Sequence, residues 1–99
     1  MKEIWLTDKD WIRVKIFKEK NRIIGFLVSY EAEIKGRRYS VIHYDTYHGF
    51  PHKDIIRPDG SEIKERLPDI GLKNLIVLAI RDIKENWEKY RKRFEGWLK

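Results

Sequence analysis

A chain of 99 residues with 22 Lys and Arg against 16 Asp and Glu, a formal net charge of +6 and hydrophobic residues at 41% reads as one domain, 1–99, with enough apolar material for a single core. It has no cysteine, which excludes disulfides, thiolate metal sites and a Cys nucleophile, and no apolar run long enough for a signal peptide or a membrane span, so the expected location is cytoplasmic. The positive balance favours an anionic partner, and RNA, DNA and an acidic protein all fit; the weight of Lys, Glu, Arg and Ile resembles the composition of thermophile proteins.

Trp11 to Phe17 alternates, with Ile12, Val14 and Ile16 on one face and Arg13 and Lys15 on the other, as a half-buried strand does. Lys18 to Arg22 is a polar turn. Ile23 to Ile34 is a second, longer strand in which Phe26, Val28, Tyr30, Ala32 and Ile34 share the more apolar face. Lys35-Gly36 is a two-residue hairpin turn, Gly supplying positive φ without a Cβ penalty, and Arg38 to Thr46 returns as the third strand. That turn pairs Ile34 with Arg37, which puts Val28 opposite His43 and Phe26 opposite Asp45 and points both toward the helix-covered face.

Tyr47 to Pro58 reads as irregular, broken by Gly49, Pro51 and Pro58, with Ile55-Ile56 as a brief edge strand; Pro58-Asp59-Gly60 is a turn, and a polar stretch follows to Pro68. The last third is one helix, capped by Asp69. Its stripe is Leu72, Leu75, Ile76, Ala79, Ile83, Trp87, Tyr90, Phe94, Trp97 and Leu98, and the run Lys89 to Arg93 suits the negative pole of its dipole. The fold class is therefore α+β: an antiparallel sheet of three to four strands, built from hairpins, packed against one long C-terminal α-helix.

All three histidines, His43, His48 and His52, fall within ten residues and are interleaved with Asp45 and Asp54. Imidazole is the side chain best suited to proton transfer near neutrality, and a neighbouring carboxylate can orient it or share a metal. Acid–base chemistry through His48 and His52, oriented by Asp45 and Asp54, is one reading. A divalent metal held by the three histidines with Asp45 or Asp54 is another, although Gly49 and Pro51 rule out a helical zinc-binding pair. The bland alternative is a polar corner in which Asp45, Thr46 and His48 satisfy backbone groups. Arg37 and Arg38 at a hairpin tip, with Arg57, Arg91 and Lys92, are candidate phosphate contacts; a solvated surface explains them equally. Trp5 and Trp97 are candidate contacts of a homodimer. No glycine-rich phosphate loop or nucleophile elbow occurs, and no resident cofactor or metal is expected.

The run Tyr44-Asp45-Thr46-Tyr47-His48-Gly49-Phe50-Pro51-His52-Lys53-Asp54, followed by Pro58-Asp59-Gly60, by Asp82 to Trp87 and by Tyr90-Arg91, resembles an uncharacterised family of small prokaryotic proteins. That family carries a Tyr-Asp-Thr-x-His-Gly-Phe-x-His-x-Asp segment ahead of a C-terminal helix. The likeness covers roughly the last two thirds of the chain and implies no activity. Tyr44, Asp45, His48, His52 and Asp59-Gly60 are also similar to the TumE-type toxins of prokaryotic toxin–antitoxin pairs, a resemblance that implies a ribonuclease-like or translation-blocking role beside a DNA-binding antitoxin. The leading expectation is a small basic, nucleic-acid-associated, toxin-like ribonuclease that uses no metal; the alternative is a non-catalytic interaction or structural module.

Overall fold

In the computed structural model, which describes residues 1–47 and 50–98, six strands precede one helix: β1 (Lys2–Thr7), β2 (Asp10–Glu19), β3 (Arg22–Ile34), β4 (Arg37–Asp45), β5 (His52–Ile56), β6 (Glu62–Arg66) and α1 (Leu72–Trp97). The strands pair antiparallel in chain order, a continuous meander. The α+β class holds, but the sheet has six strands where three to four are expected. β1 and β6 are the additions. β6 is charged and exposed throughout, as an edge strand can be, whereas β1 packs Ile4 and Leu6 against the core and exposes its first residues. β5 is also longer than Ile55-Ile56 and is an interior strand between β4 and β6.

The turns follow backbone chemistry. Lys20 and Asn21 both have positive φ, as do Lys35 and Gly36, the conformation that matches the twist of a two-residue hairpin. Phe26, Val28, Tyr30, Ala32 and Ile34 share a buried face with Ile12, Ile42 and Tyr44. Against it α1 lays Leu75, Ile76, Ala79, Ile83, Tyr90 and Phe94, each large apolar group gaining about 1.5–3 kcal/mol gross from burial. One layer of helix covers one face of the sheet, and the other face has no second layer among the described residues.

Two helix-end expectations are corrected. Asp69 does not cap α1: the N-cap is Gly71 at φ 88°, with no side-chain cap bond, and this left-handed residue turns the chain into the helix. The basic run Lys89 to Arg93 is not the helix end either. Phe94 is buried beside Tyr39, their rings 5.1 Å apart, and the helix continues to Trp97 with no basic residue in its last turn.

A bulge decides which residues face the uncovered side. Ile34 pairs with Arg37 as expected, but the register shifts between Tyr30 and Glu31: Tyr30 faces Ile42 and Glu31 faces Ser40, leaving Val41 as the extra residue. Beyond it Val28 pairs with Tyr44, not His43, and Leu27 with Asp45. His43 and Asp45 therefore point away from the helix, and Ile42 and Tyr44 take the core positions. Because strand side chains alternate with period two, one inserted residue reverses every later one.

Two polar networks tie α1 to the sheet. At one end Asp10, 4% exposed, accepts hydrogen bonds from Thr7 (2.6 Å), Tyr30 (2.6 Å) and Arg91 (2.7 Å), while Arg91 also donates to the Glu33 carbonyl at 3.0 Å. Burial alone would push the Asp10 carboxyl up, but these donors outweigh it and hold it below the usual carboxylate range. Further along, Asp82 accepts from Tyr44, from Tyr90 (2.7 Å), from Lys53 (3.4 Å) and from Asn86 (3.0 Å). It too is held low despite burial, whereas burial and the bond to Asp82 raise the Tyr44 and Tyr90 hydroxyls. The motif residues Asp82, Tyr90 and Arg91 are thus bonded into the helix–sheet junction.

Candidate functional site

Beyond the bulge, strand pairing sets His43 opposite Asp54 and Asp45 opposite His52. All four side chains stand on the uncovered face, at the β4–β5 step. His52 is 2% exposed and is the hub: its Nε2 lies 3.1 Å from Asp45 Oδ1 and 3.2 Å from Asp54 Oδ2, and its Nδ1 lies 3.1 Å from the Phe50 carbonyl. Oxygen acceptors stand at both ring nitrogens. The Phe50 ring packs on the imidazole with centroids 5.8 Å apart, and Arg66 lies over Phe50. Asp54, itself buried, also accepts from Lys64 at 3.1 Å, which raises the lysine's ammonium above its ordinary value. Asp45 also accepts from the Tyr47 backbone N–H at 3.1 Å.

This arrangement gathers three of the four expected catalytic residues, His52, Asp45 and Asp54; the fourth, His48, lies outside the described residues. What it makes of them is a closed cluster, with His52 sealed from solvent. Replacing His52 with Ala is expected to lower stability by about 2 kcal/mol, since two carboxylates lose a shared donor and are left facing each other. Urea unfolding of the variant measures this.

His43 adds a metal-donor geometry, because one ligand atom from each of His43, Asp45 and Asp54 falls within 4.8 Å of the others. Both carboxylates, however, are already engaged by His52 and Lys64. A cation entering there would have to displace that ring and that ammonium from the same oxygens.

The accessible chemistry lies beside the cluster. His43, its side chain 28% exposed, opens into a hollow of about 190 Å³ lined with Arg13, Ser29, Glu31, Ser40, Lys15 and Leu27, among others. Glu31 Oε2 accepts from Ser40 Oγ at 2.7 Å and stands 4.0 Å from His43 Nε2. That gap is longer than a hydrogen bond of about 2.7–3.2 Å, so imidazole and carboxylate face the same space without being bonded to each other. Glu31 and Ser40 pair in the unshifted register and Arg13 is set by β2 against β3; what sequence reasoning misses is the bulge that turns His43 onto their face.

Four of the five candidate phosphate contacts already lie against partners within the chain. Arg38 stacks over Trp11 at 4.9 Å and Arg37 over Tyr39 at 5.6 Å. Arg57 lies over Trp97 at 5.8 Å and Arg91 is bonded to Asp10 and the Glu33 carbonyl. Lys92 is exposed on α1. A larger cleft, about 530 Å³, runs between α1 and the β5–β6 side, with Tyr44, Lys53 and Asp82 among its lining residues; their polar atoms are already committed to one another. No helix among the described residues is long and apolar enough to cross a membrane.

Compared with known proteins, residues 2–99 match a family model described as Domain of unknown function (DUF7718). No curated protein and no solved structure matches, so the likeness to TumE-type toxins finds no support there.

Proposed function

Because the chain belongs to this DUF7718 family, whose description names no chemistry, we propose from geometry alone that the uncovered sheet face binds single-stranded RNA and cleaves it without a metal ion. The observation that carries this reading is the meeting of Glu31 and His43 across 4.0 Å in a hollow that also holds Arg13. Cleavage of RNA by its own 2′-hydroxyl needs a base, an acid and a cation, and the hollow offers one of each. Glu31 takes the 2′-hydroxyl proton as O2′ attacks the neighbouring phosphorus. The P–O5′ bond breaks, and His43 gives its proton to the leaving oxygen, so the products are a 2′,3′-cyclic phosphate and a 5′-hydroxyl. Arg13 offsets the charge on the phosphoryl oxygens. At about 190 Å³ the hollow is smaller than the ~300–1,000 Å³ typical of small-molecule sites, which suits a phosphodiester linkage with the bases left outside.

This moves the chemistry from the loop to the sheet. His52, Asp45 and Asp54 become positioning residues that fix the end of β4, and Arg91 is left out because its guanidinium is already bonded to Asp10 and the Glu33 carbonyl. The test is incubation of the purified protein with end-labelled RNA in the presence of a chelator. Cleavage to 2′,3′-cyclic phosphate ends, abolished by His43→Gln and by Glu31→Gln, is the expected result. No cleavage, or cleavage indifferent to both changes, sinks the proposal. The second reading, a non-catalytic module, is favoured by the sealing of His52; it predicts that RNA survives and that only stability responds to changes at the cluster.

A further inference from the structure

β2 and β3 extend past the sheet that supports them. β1 reaches along β2 only as far as Val14, and β4 along β3 only as far as Leu27, with one further bond from the Thr46 N–H to the Phe26 carbonyl. Residues 16–24 therefore project as a two-stranded arm, with Gly25 and Phe26 buried at its root. It carries Ile16, Phe17 and Ile24 at 43%, 49% and 54% exposure, apolar groups on both faces of a ribbon that no other layer covers. Among the described residues the outer edge of β2 from Lys15 to Glu19 has no strand beside it, and such an edge is a template for further pairing.

We infer that the arm pairs with the arm of a second copy of this chain, β2 against β2, antiparallel about Phe17. The sequence of the edge is self-complementary in that register. Lys15 of each copy lies opposite Glu19 of the other, twice by symmetry; Phe17 lies opposite Phe17, and Ile16 opposite Lys18. Opposite charges and aromatic pairs across strands are the favourable ones, and a two-fold interface must match itself in this way. Phe17, Ile24, Leu27 and Tyr47 also line an apolar groove of about 390 Å³ at the root of the arm, beside the place where the second Phe17 would stand.

The remaining sheet edges fit a second copy less well. β6 centred on Lys64 would pair Glu62 with Arg66 but set Lys64, already bonded to Asp54, against its own copy, and the exposed Trp5 of β1 already stacks on Trp11 with centroids 5.0 Å apart. The paired sheets form one continuous surface with both uncovered faces on the same side, whether or not those faces cleave RNA.

Light scattering coupled to gel filtration, run over a concentration series on the full chain, is the test. The wild type should show a concentration-dependent dimer. Phe17→Lys should leave only monomer, and Lys15→Glu should weaken dimerisation about tenfold. The double change Lys15→Glu with Glu19→Lys should restore it, because the swapped charges again face their opposites. Each substituted residue is on the exposed arm, and circular dichroism verifies that the variants fold. A wild type that stays monomeric at every concentration overturns the inference. So does a dimer that survives Phe17→Lys, or a double variant no better than Lys15→Glu alone.

Discussion

His43→Gln is expected to slow RNA cleavage by about 10²–10⁴-fold, the range that a positioned proton carrier contributes, while leaving the melting temperature nearly unchanged. The side chain is part-exposed, its nearest charged neighbour is the Glu31 carboxylate at 4.0 Å, and glutamine keeps a polar group of similar size, so little packing is lost. Glu31→Gln should cost a comparable factor, and the double variant little more than either alone, because a base and an acid that serve one step act as a unit. Single-turnover cleavage with analysis of the product ends separates this from weakened binding. Arg13→Ala, by contrast, should weaken RNA binding and make what remains less sensitive to salt, since each phosphate contact contributes to the salt slope.

Asp10→Ala is the largest expected loss of stability, about 3 kcal/mol. Removing one partner of a buried ion pair costs about 3–5 kcal/mol because the other is left uncompensated. Arg91 keeps some access to solvent, its side chain 21% exposed, which places the cost near the lower end. Asp10 also accepts from Thr7 and Tyr30, so two further donors lose their acceptor. Arg91→Ala should be severe for the same reason, and the Asp10→Ala, Arg91→Ala double variant should lose less than the sum of the two, the mark of a direct coupling. Urea unfolding of the four proteins measures all of it; strict additivity would mean that the pair does not hold α1 to the sheet.

The same carboxylates set the pH limits of the fold. Asp10 and Asp82 are both held below the usual carboxylate range, so the native state binds fewer protons than the unfolded chain. Their contribution is present above the unfolded value of about 3.9 and is lost as pH falls through their lower folded values. Tyr30, Tyr44 and Tyr90 are raised above the ordinary phenol value, so their contribution is complete below about pH 10 and is lost as pH rises beyond it. Stability should therefore be flat from about pH 5 to pH 9 and fall on both sides, with the acid edge blunted in Asp10→Ala.

The sequence makes some of this legible through strong local rules. Lys35-Gly36 demands a tight turn, the alternation of β3 names its buried face, and the stripe of α1 lists the residues that do bury. β6 escapes because an edge strand needs no alternating apolar pattern, Glu62 to Arg66 carrying one apolar residue among four charged ones, and β1 escapes because its alternating pair, Ile4 and Leu6, is short. Asp69 looks like a cap because carboxylates often are, but Gly71 at positive φ does the turning. The cluster of His52, Asp45 and Asp54 is foreshadowed by spacing alone, whereas the meeting of His43 with Glu31 and Arg13 depends on a register shift that a single residue controls.

That residue is Val41, and it acts on β4 as a frameshift acts on a message. Upstream of it the strand is read in one phase, downstream in the other, so the alternate residues that meet the helix before the bulge would meet the open face after it. A chain of this family that lacked Val41 would need no bulge: Ser40 and Ile42 would follow one another opposite Glu31 and Tyr30, and Tyr44 would still meet the helix and His43 the open face. In comparing such chains, a gap at Val41 is therefore compatible with the same open face.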